Sequence, residues 1–316
     1  MHIYSFLSGR LARLKIDNDV GDWIDSFQGT SAGTSLGPLL FITYLHDVPK
    51  CIMPKYADDL AAISTGKEIK SITTNLQHAT DSLLQWAKRE GMVLNSAKTK
   101  VMIFGDSTDP VTITLDGSAI ENVSSYKYLG VELDPLLTFN RQVEYAACKA
   151  KRASAKVFSL ISGSHGVPVD IGIGLYKSLV RPHLEYALPV WANISEKDTQ
   201  LLEDVQLQCL RKVIGAKSHS SSVALEVISG ILPFRFRKRE LCCREYVRTI
   251  SNTSSRLLLN LFHSSTRVGL RFCPLEYIWV LSRELEKEIS GCSLSVQRVS
   301  TVAKCLFSSV SSEFRH

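Results

Sequence analysis

No stretch of the 316-residue chain approaches the roughly 18 uninterrupted apolar residues that a membrane-spanning helix needs, so no membrane partner is expected. The opening segment is not expected to act as a secretory signal either. In the opening MHIYSFLSGRLARLKI the apolar run is broken by Ser5, Ser8 and Arg10. That segment is rich in arginine and free of acid up to Asp17, which fits a mitochondrial leader less well than a strand or short helix at a domain edge. None of the eight cysteines forms a Cys-x-x-Cys pair, and no His-x-x-x-His partner accompanies them. They read as reduced, mostly buried thiols of an intracellular protein, nuclear or cytoplasmic, with a zinc site as the weaker alternative. His165, His183, His219 and His263 lack metal-like spacing. There is no internal repeat and no Gly/Pro-rich tract. The net charge of +6 is mildly basic and compatible with a polyanionic partner without requiring one.

What is present is a mixed first part followed by a helical remainder. At about 150 residues per domain the length suggests two domains. GPLLFITYLHDVP places Leu40, Tyr44 and Leu45 at helical spacing and stops at Pro49. IMPKYA and LAAIS are expected as short strands. Over Lys67–Glu90, apolar residues recur every three or four positions (Ile69, Ile72, Leu76, Ala79, Leu83, Trp86, Ala87), which predicts a helix ended by Gly91. KVMIFG, VTITLDG and YKYLGVELD read as strands, with LDGS (Leu115 to Ser118) as a turn. From Phe139 onward a stripe of Val143, Ala146, Ala147, Ala150, Ala153, Val157 and Leu160 predicts a long helix. Further helices are expected from about Val169 towards Pro182 and from about Glu196 to Ile214. Ala216–Ser222 and Ser251–Ser255 read as polar breaks.

The stretch KYADDLAAIS, Lys55 to Ser64, sets Asp58 beside Asp59 between two apolar runs. Phosphoryl transfer requires charge to be neutralised on attacking and leaving oxygens, and carboxylates can hold divalent metals for that purpose. A tight turn could aim both side chains at one cleft. Aspartate is equally a favoured turn residue for local hydrogen-bonding reasons, so the dipeptide alone leaves both readings open.

Its neighbours carry more information. GTSLGPLLFITYLHDVPKCIMPKYADDLAAIS resembles the palm of reverse transcriptases from non-LTR (LINE-like) retrotransposons. Downstream, GMVLNSAKTKVMIFG resembles the family's next motif through Asn95, Lys98 and Thr99. YKYLGVELD (Tyr126 to Asp134) resembles its primer-gripping strand pair, and LYKSLVRPHLEYALPVWAN (Leu175 to Asn193) its thumb-side region. The segments keep the family's order over roughly Ser5 to Ile250. The resemblance implies an α+β fold: a partial right-hand polymerase palm at residues 1–135, with a β-hairpin bearing Tyr-Ala-Asp-Asp and a helix packed on antiparallel strands. A helical thumb-like region would follow at 136–215 and a mostly helical C-terminal region at 216–316. The activity implied is template-directed nucleotidyl transfer from deoxynucleoside triphosphates, with RNA template, DNA primer and Mg²⁺ (or Mn²⁺).

Roles follow residue by residue from the resemblance. Asp58 and Asp59 would bind metal, Asp58 as the principal ligand. Tyr56 would lie near the incoming nucleotide or primer end. Gly33 would let backbone approach template and nucleotide. Lys98 would approach the departing pyrophosphate as a charge or proton donor, or else be an exposed lysine after a helix. Tyr128, Leu129 and Gly130 would form the primer grip, or else an ordinary core strand with a bulge glycine. Lys149, Lys151, Arg152 and Lys156 would face the backbone of the duplex.

The sequence departs from the family pattern in two places. Ser31 and Ala32 in GTSAG replace a proline and a glutamine. The family's other metal-binding aspartate is expected upstream of SFLSGR, with the fingers. Asp17, Asp19, Asp22 and Asp25 lie on the wrong side of that segment to replace it. These 316 residues by themselves are therefore expected to be inactive, and the rival reading is a noncatalytic nucleic-acid-binding or degenerate retroelement-derived protein. The basic cluster PFRFRKRELCCREYVR (Pro233 to Arg248), with Phe234, Phe236 and Tyr246 interleaved, reads rather as a solvated helix face diluted by Glu240 and Glu245 than as a nucleic-acid patch.

Overall fold

The structure, a computed structural model, describes residues 2–26, 29–30, 33–49, 54–66, 68–105, 110–162 and 167–251. The chain divides into two units, Met1–Val101 with Asp109–Asn122, and Met102–Thr108 with Val123–His316. Helices and short strands mix in the first, and helices dominate the second.

In the first unit, helix α1 (His2–Leu7) leads into strands β1 (Leu11–Ala12), β2 (Lys15–Ile16), β3 (Asp19–Val20) and β4 (Ile24–Asp25). β1 pairs antiparallel with β4 around the β2–β3 hairpin. Helix α2 (Leu36–Tyr44) continues as a 3-10 turn (Leu45–Asp47) and stops short of Pro49. β5 (Lys55–Tyr56) and β6 (Asp59–Leu60) follow, then α3 (Ile69–Arg89). Gly91 N–H bonds to the Lys88 carbonyl at 3.3 Å and Met92 N–H to the Ala87 carbonyl at 2.8 Å, the Schellman arrangement that satisfies the last carbonyls of a helix. Trp86 and Ala87 are buried with Leu45 and Val48, and Phe41, Leu83, Met92 and Leu94 pack against them. The Tyr44 hydroxyl donates to the Glu90 carbonyl at 2.7 Å and ties α2 to the end of α3.

Strands β7 (Lys100–Val101), β8 (Thr114–Leu115), β9 (Ser118–Ala119) and β10 (Glu121–Asn122) complete the unit. β8 and β9 form a hairpin around Asp116 and Gly117, both at positive φ, as a type I′ turn requires. The turn expected at LDGS is therefore present. β7 pairs with β10 in parallel. Gln77 on α3 accepts from Thr114 N–H at 2.9 Å and donates to its carbonyl at 3.0 Å, acting as a side-chain partner for a strand residue. The strands are shorter than the sequence pattern suggests. Among the described residues every sheet is two-stranded, so each strand has one ladder partner and pairing lapses after two or three residues.

In the second unit β11 (Tyr126–Tyr128) and β12 (Val131–Leu133) pair antiparallel. Helix α4 (Asn140–Ile161) follows. Its entry is fixed by Asp134, whose carboxylate accepts from Thr138 N–H at 3.0 Å and Phe139 N–H at 2.9 Å. The expected stripe from Val143 to Val157 is buried. Leu160 is not: it is 58% exposed. The stripe continues by a step of four from Val157 to Ile161, which packs against the core instead.

The next helix passes beyond Pro182 rather than stopping at it. α5 (Val169–Leu175) runs into a π turn (Tyr176–Val180) and then α6 (Arg181–Glu185). The wider turn admits Pro182 without the clash its ring would make with a regular preceding turn. A 3-10 turn (Leu188–Val190) precedes α7 (Glu196–Ile214), whose Ser195 cap accepts from Asp198 N–H at 3.1 Å. α8 (Ser222–Ser229) and α9 (Phe234–Ser251) follow. Phe139, Tyr176, Leu184, Trp191, Leu210 and Phe234 form the centre of one core. Inside it the Tyr176 hydroxyl donates to Gln206 Oε1 at 2.7 Å, and Gln206 Nε2 donates to the Leu232 carbonyl at 2.9 Å, so the buried amide is satisfied at both ends. Among the described residues no helix is long and apolar enough to cross a membrane.

Candidate functional site

Asp58 and Asp59 stand at the tip of the β5–β6 hairpin. Lys55 pairs with Leu60 and Tyr56 with Asp59, leaving Ala57 and Asp58 as the two-residue turn, with Ala57 at φ 50°. Both carboxylates are exposed, and Tyr56 is 66% exposed. The hairpin is tied down from below. Lys55 Nζ donates to the Leu45 carbonyl at 3.2 Å, and its second contact, to the Val48 carbonyl, is 3.5 Å. Lys55 thus meets the carbonyl end of the α2 segment, where a cation is favoured. Sequence reading passed over this residue. Its only signal was a lysine directly before an aromatic at the edge of the carboxylate turn.

The donor chemistry at the tip suits a hard cation such as Mg²⁺, which prefers carboxylate oxygen and retains waters. The set is open: among the described residues no group of three or more His, Cys, Asp or Glu side chains converges to hold a metal. The hairpin offers two carboxylates and the described residues bring no third to them.

Gly33 has φ 77°, and a Cβ built on it would meet nothing within 4 Å. The requirement for glycine there is backbone conformation, not crowding. Ser31 and Ala32 lie outside the described residues. Lys98 is exposed on a turn where Asn95 Oδ1 accepts from Lys98 N–H at 3.1 Å and the Asn95 carbonyl accepts from Thr99 N–H at 3.0 Å. No ion pair joins Lys98 to Asp58 or Asp59 among the described residues.

In the second unit Tyr128 pairs with Val131 across a turn made by Leu129 (φ 47°) and Gly130 (φ 83°). This is a two-residue hairpin turn with both residues left-handed. The sequence alternative of a strand with a bulge glycine does not describe it, because the two strands are in plain register. The Tyr186 hydroxyl donates to the Leu129 carbonyl at 2.8 Å.

Lys149, Lys151, Arg152 and Lys156 are all exposed on α4. Lys149 lies over the Tyr145 ring at 4.6 Å, and Lys127 of β11 lies over the same ring at 3.8 Å while donating to its hydroxyl at 2.5 Å. The two ammonium groups lower the Tyr145 pKa from its ordinary value, chiefly through the hydrogen bond from Lys127. The basic cluster on α9 is arranged otherwise. Arg237 forms a two-pronged pair with Glu185, at 2.7 and 2.9 Å, and a third bond to Glu240 at 2.9 Å. Arg244 pairs with Glu240, and Arg248 with Glu245 at 2.8 Å. Lys238 is buried and donates to Thr199 Oγ1 at 2.9 Å. Much of this charge is spent inside the protein, which accords with the reading of that segment as a structural helix. The side chain of Tyr246 lies outside the described residues. So do His165, His263, Cys51, Cys273, Cys292 and Cys305. Cys209, Cys242 and Cys243 are buried and Cys148 is exposed, and none of the four is in a disulfide.

Residues 2–133 match the family described as reverse transcriptase (RNA-dependent DNA polymerase). The chain is similar to the RNA-directed DNA polymerase from mobile element jockey of Drosophila melanogaster, 27% identical over 226 residues that make up 68% of this chain and 25% of that protein. The jockey polymerase of Drosophila funebris is 26% identical over 239 residues, 72% of this chain and 26% of that protein. The probable RNA-directed DNA polymerase from transposon X-element of Drosophila melanogaster is 23% identical over 222 residues, 67% of this chain and 24% of that protein. The chain spans about a quarter of the length of these curated relatives. No solved structure matches it. By its family match over residues 2–133 and by these relatives, the chain is akin to the RNA-directed DNA polymerases of non-LTR retrotransposons, as the motifs around Tyr56–Asp59 implied.

Proposed function

We propose that this protein takes part in RNA-directed DNA synthesis, with residues 1–135 as part of a polymerase palm, 136–215 as a helical thumb-like region and 216–316 as a mostly helical C-terminal region to which no role is assigned. The reaction is attack of the primer 3′ oxygen on the α-phosphorus of a deoxynucleoside triphosphate. One P–O bond forms, the bond to pyrophosphate breaks, and the hydroxyl proton is lost. The observation that carries the reading is the exposed Tyr56–Asp59 hairpin inside the stretch that matches the reverse transcriptase family.

Asp58 and Asp59 would hold a divalent cation, Mg²⁺ or Mn²⁺, which when bound neutralises charge on the transferring phosphoryl group. The other residues position and protonate. Tyr56 offers an exposed ring to the nucleotide or primer end. Gly33 permits close backbone approach, and Lys98 presents a cation or proton to the departing pyrophosphate. Tyr128, Leu129 and Gly130 would steady the primer end. Cations of α4 would bind the phosphate backbone of template and primer, and which of them do so is narrowed below.

A polypeptide of these 316 residues should not extend a primer. Among the described residues two carboxylates converge without a third, which leaves the charge on the reacting oxygens poorly compensated, and a single missing preorganised contact can cost about 10²–10³ in rate. Primer extension on an RNA template with Mg²⁺ or Mn²⁺, comparing wild type with Asp58→Ala, tests this. No extension by either is expected. Extension by the wild type that Asp58→Ala abolishes would show that another carboxylate completes the site within these residues. The second reading, a noncatalytic nucleic-acid-binding protein, draws on the same open ligand set and on the exposed α4 cations. It would be favoured if Asp58→Ala left nucleic-acid and metal binding both unchanged.

A further inference from the structure

Among the described residues of the second unit, several exposed cations on and beside α4 have no carboxylate partner. None of Lys127, Arg141, Lys149, Arg152 and Lys156 forms an ion pair with a carboxylate among the described residues. This contrasts with α9, where Arg237, Arg244 and Arg248 are each paired. Glu132 stands directly opposite Lys127 in the β11–β12 ladder, yet Lys127 turns its ammonium to the Tyr145 hydroxyl.

The helix period sorts the α4 residues. At about 100° per residue, Arg141, Tyr145, Lys149, Arg152 and Lys156 fall within an arc of about 80°, and Lys151 lies about 100° beyond Arg152. Tyr145 sits inside the arc with one lysine from α4 and one from β11 over its ring, at 4.6 and 3.8 Å. Arg141, at the start of the arc, donates to Ser125, so the chain leading into β11 meets the same face. From Arg141 to Lys156 the row is about 22 Å long. One strand of a duplex advances about 3.4 Å per phosphate, so the row can follow about six of them.

We infer that the nucleic-acid track of this unit is the row Arg141–Lys149–Arg152–Lys156 joined by Lys127, with Tyr145 as a positioning residue that converges Lys127 and Lys149 on one phosphate, and that Lys151 lies outside it. The inference rests on the proposed function and narrows it to a defined set of side chains. Ammonium groups that share one ring repel one another. The phenol oxygen and the ring offset part of that repulsion, and a phosphodiester anion would offset the rest.

The test is fluorescence anisotropy of a labelled 20-base-pair RNA–DNA duplex with the full 316-residue chain, from 50 to 200 mM salt. Lys127→Gln and Lys149→Gln should each lower the slope of log affinity against log salt by about one. Lys151→Gln should leave the slope in place. Tyr145→Phe should raise Kd with the slope unchanged, because it removes positioning and no charge. Circular dichroism of each variant checks that α4 is intact. If Lys127→Gln is silent while changing Lys149, Lys151, Arg152 and Lys156 together flattens the slope, the proposed function stands and this inference fails. An equal loss in Lys151→Gln overturns it as well. If the wild type shows no salt-dependent binding, both fall.

Discussion

Tyr186 holds the tip of the Tyr128–Val131 hairpin from 57 positions away in the chain: its hydroxyl donates to the Leu129 carbonyl at 2.8 Å. Its ring also closes the space over Gly130, since a Cβ there would come within 3.0 Å of the ring. Gly130→Ala would meet both a crowded ring and a positive φ of 83°. A residue forced into that region costs about 1–3 kcal/mol. Tyr186→Phe removes one hydrogen bond, worth about 0.5–1.5 kcal/mol. Urea unfolding should show Gly130→Ala as the more destabilised variant. The reverse order would mean that the hairpin tip yields more easily than the ring contact implies.

Terbium luminescence reads the metal question without turnover. An ion held by Asp58 and Asp59 would lie near the exposed ring of Tyr56, which is two residues from Asp58 and the cross-strand partner of Asp59. Tyrosine-sensitised emission should appear on adding Tb³⁺, and Asp58→Asn with Asp59→Asn should remove most of it. Emission unchanged in the double variant would place the bound ion elsewhere.

The Tyr145 pKa is lowered from 10.0 by the hydrogen bonds from Lys127 and Lys149. The folded state therefore favours the phenolate. The resulting stabilisation is fully present above the unfolded value and is lost as pH falls through the folded pKa. Absorbance titration at 295 nm should show a tyrosine ionising earlier than the ordinary value, and Tyr145→Phe should delete that step. Lys127→Gln should shift it back up. A step that survives in Tyr145→Phe would belong to another tyrosine.

Arg237 is the junction of α6 and α9 through Glu185 and Glu240. The side chains of this network are mostly removed from water, with Arg237 18% and Glu185 16% exposed. Without Arg237, Glu185 would keep only the looser Arg181 at 3.6 Å and Glu240 would keep Arg244, so the cost falls below the about 3–5 kcal/mol of a fully broken buried pair but above that of a surface one. Arg237→Ala should lower the unfolding midpoint. Arg248→Ala, whose arginine is 79% exposed, should change the unfolding free energy by less than about 1 kcal/mol. Equal effects would mean that the Arg237 network is no better shielded than a surface pair.

Local signals made much of this protein legible from its residues alone. The three- and four-residue spacing from Ile69 to Ala87 with Gly91 behind it marked α3, and the same logic marked α4 and the bounds of α7. These signals act over one or two turns, where neighbours in sequence are neighbours in space. The carboxylate turn at Asp58 was legible because two apolar runs flank two turn-forming residues, and the surrounding motif carried the kinship that residues 2–133 bear out. Only the tertiary structure decided which charges were already spent. Lys149 and Arg237 look alike in a one-dimensional reading, since both sit in basic runs on amphipathic helices. Arg237 finds Glu185 52 positions away, and Lys127 of β11 reaches Tyr145 on α4. Leu160 dropped off the core stripe because the helix face drifts by a fraction of a residue per turn, and Pro182 was absorbed by a π turn that no propensity announces. Long-range electrostatic pairing and the exact phase of a helix face depend on where the rest of the chain comes to lie, and no window of sequence contains that.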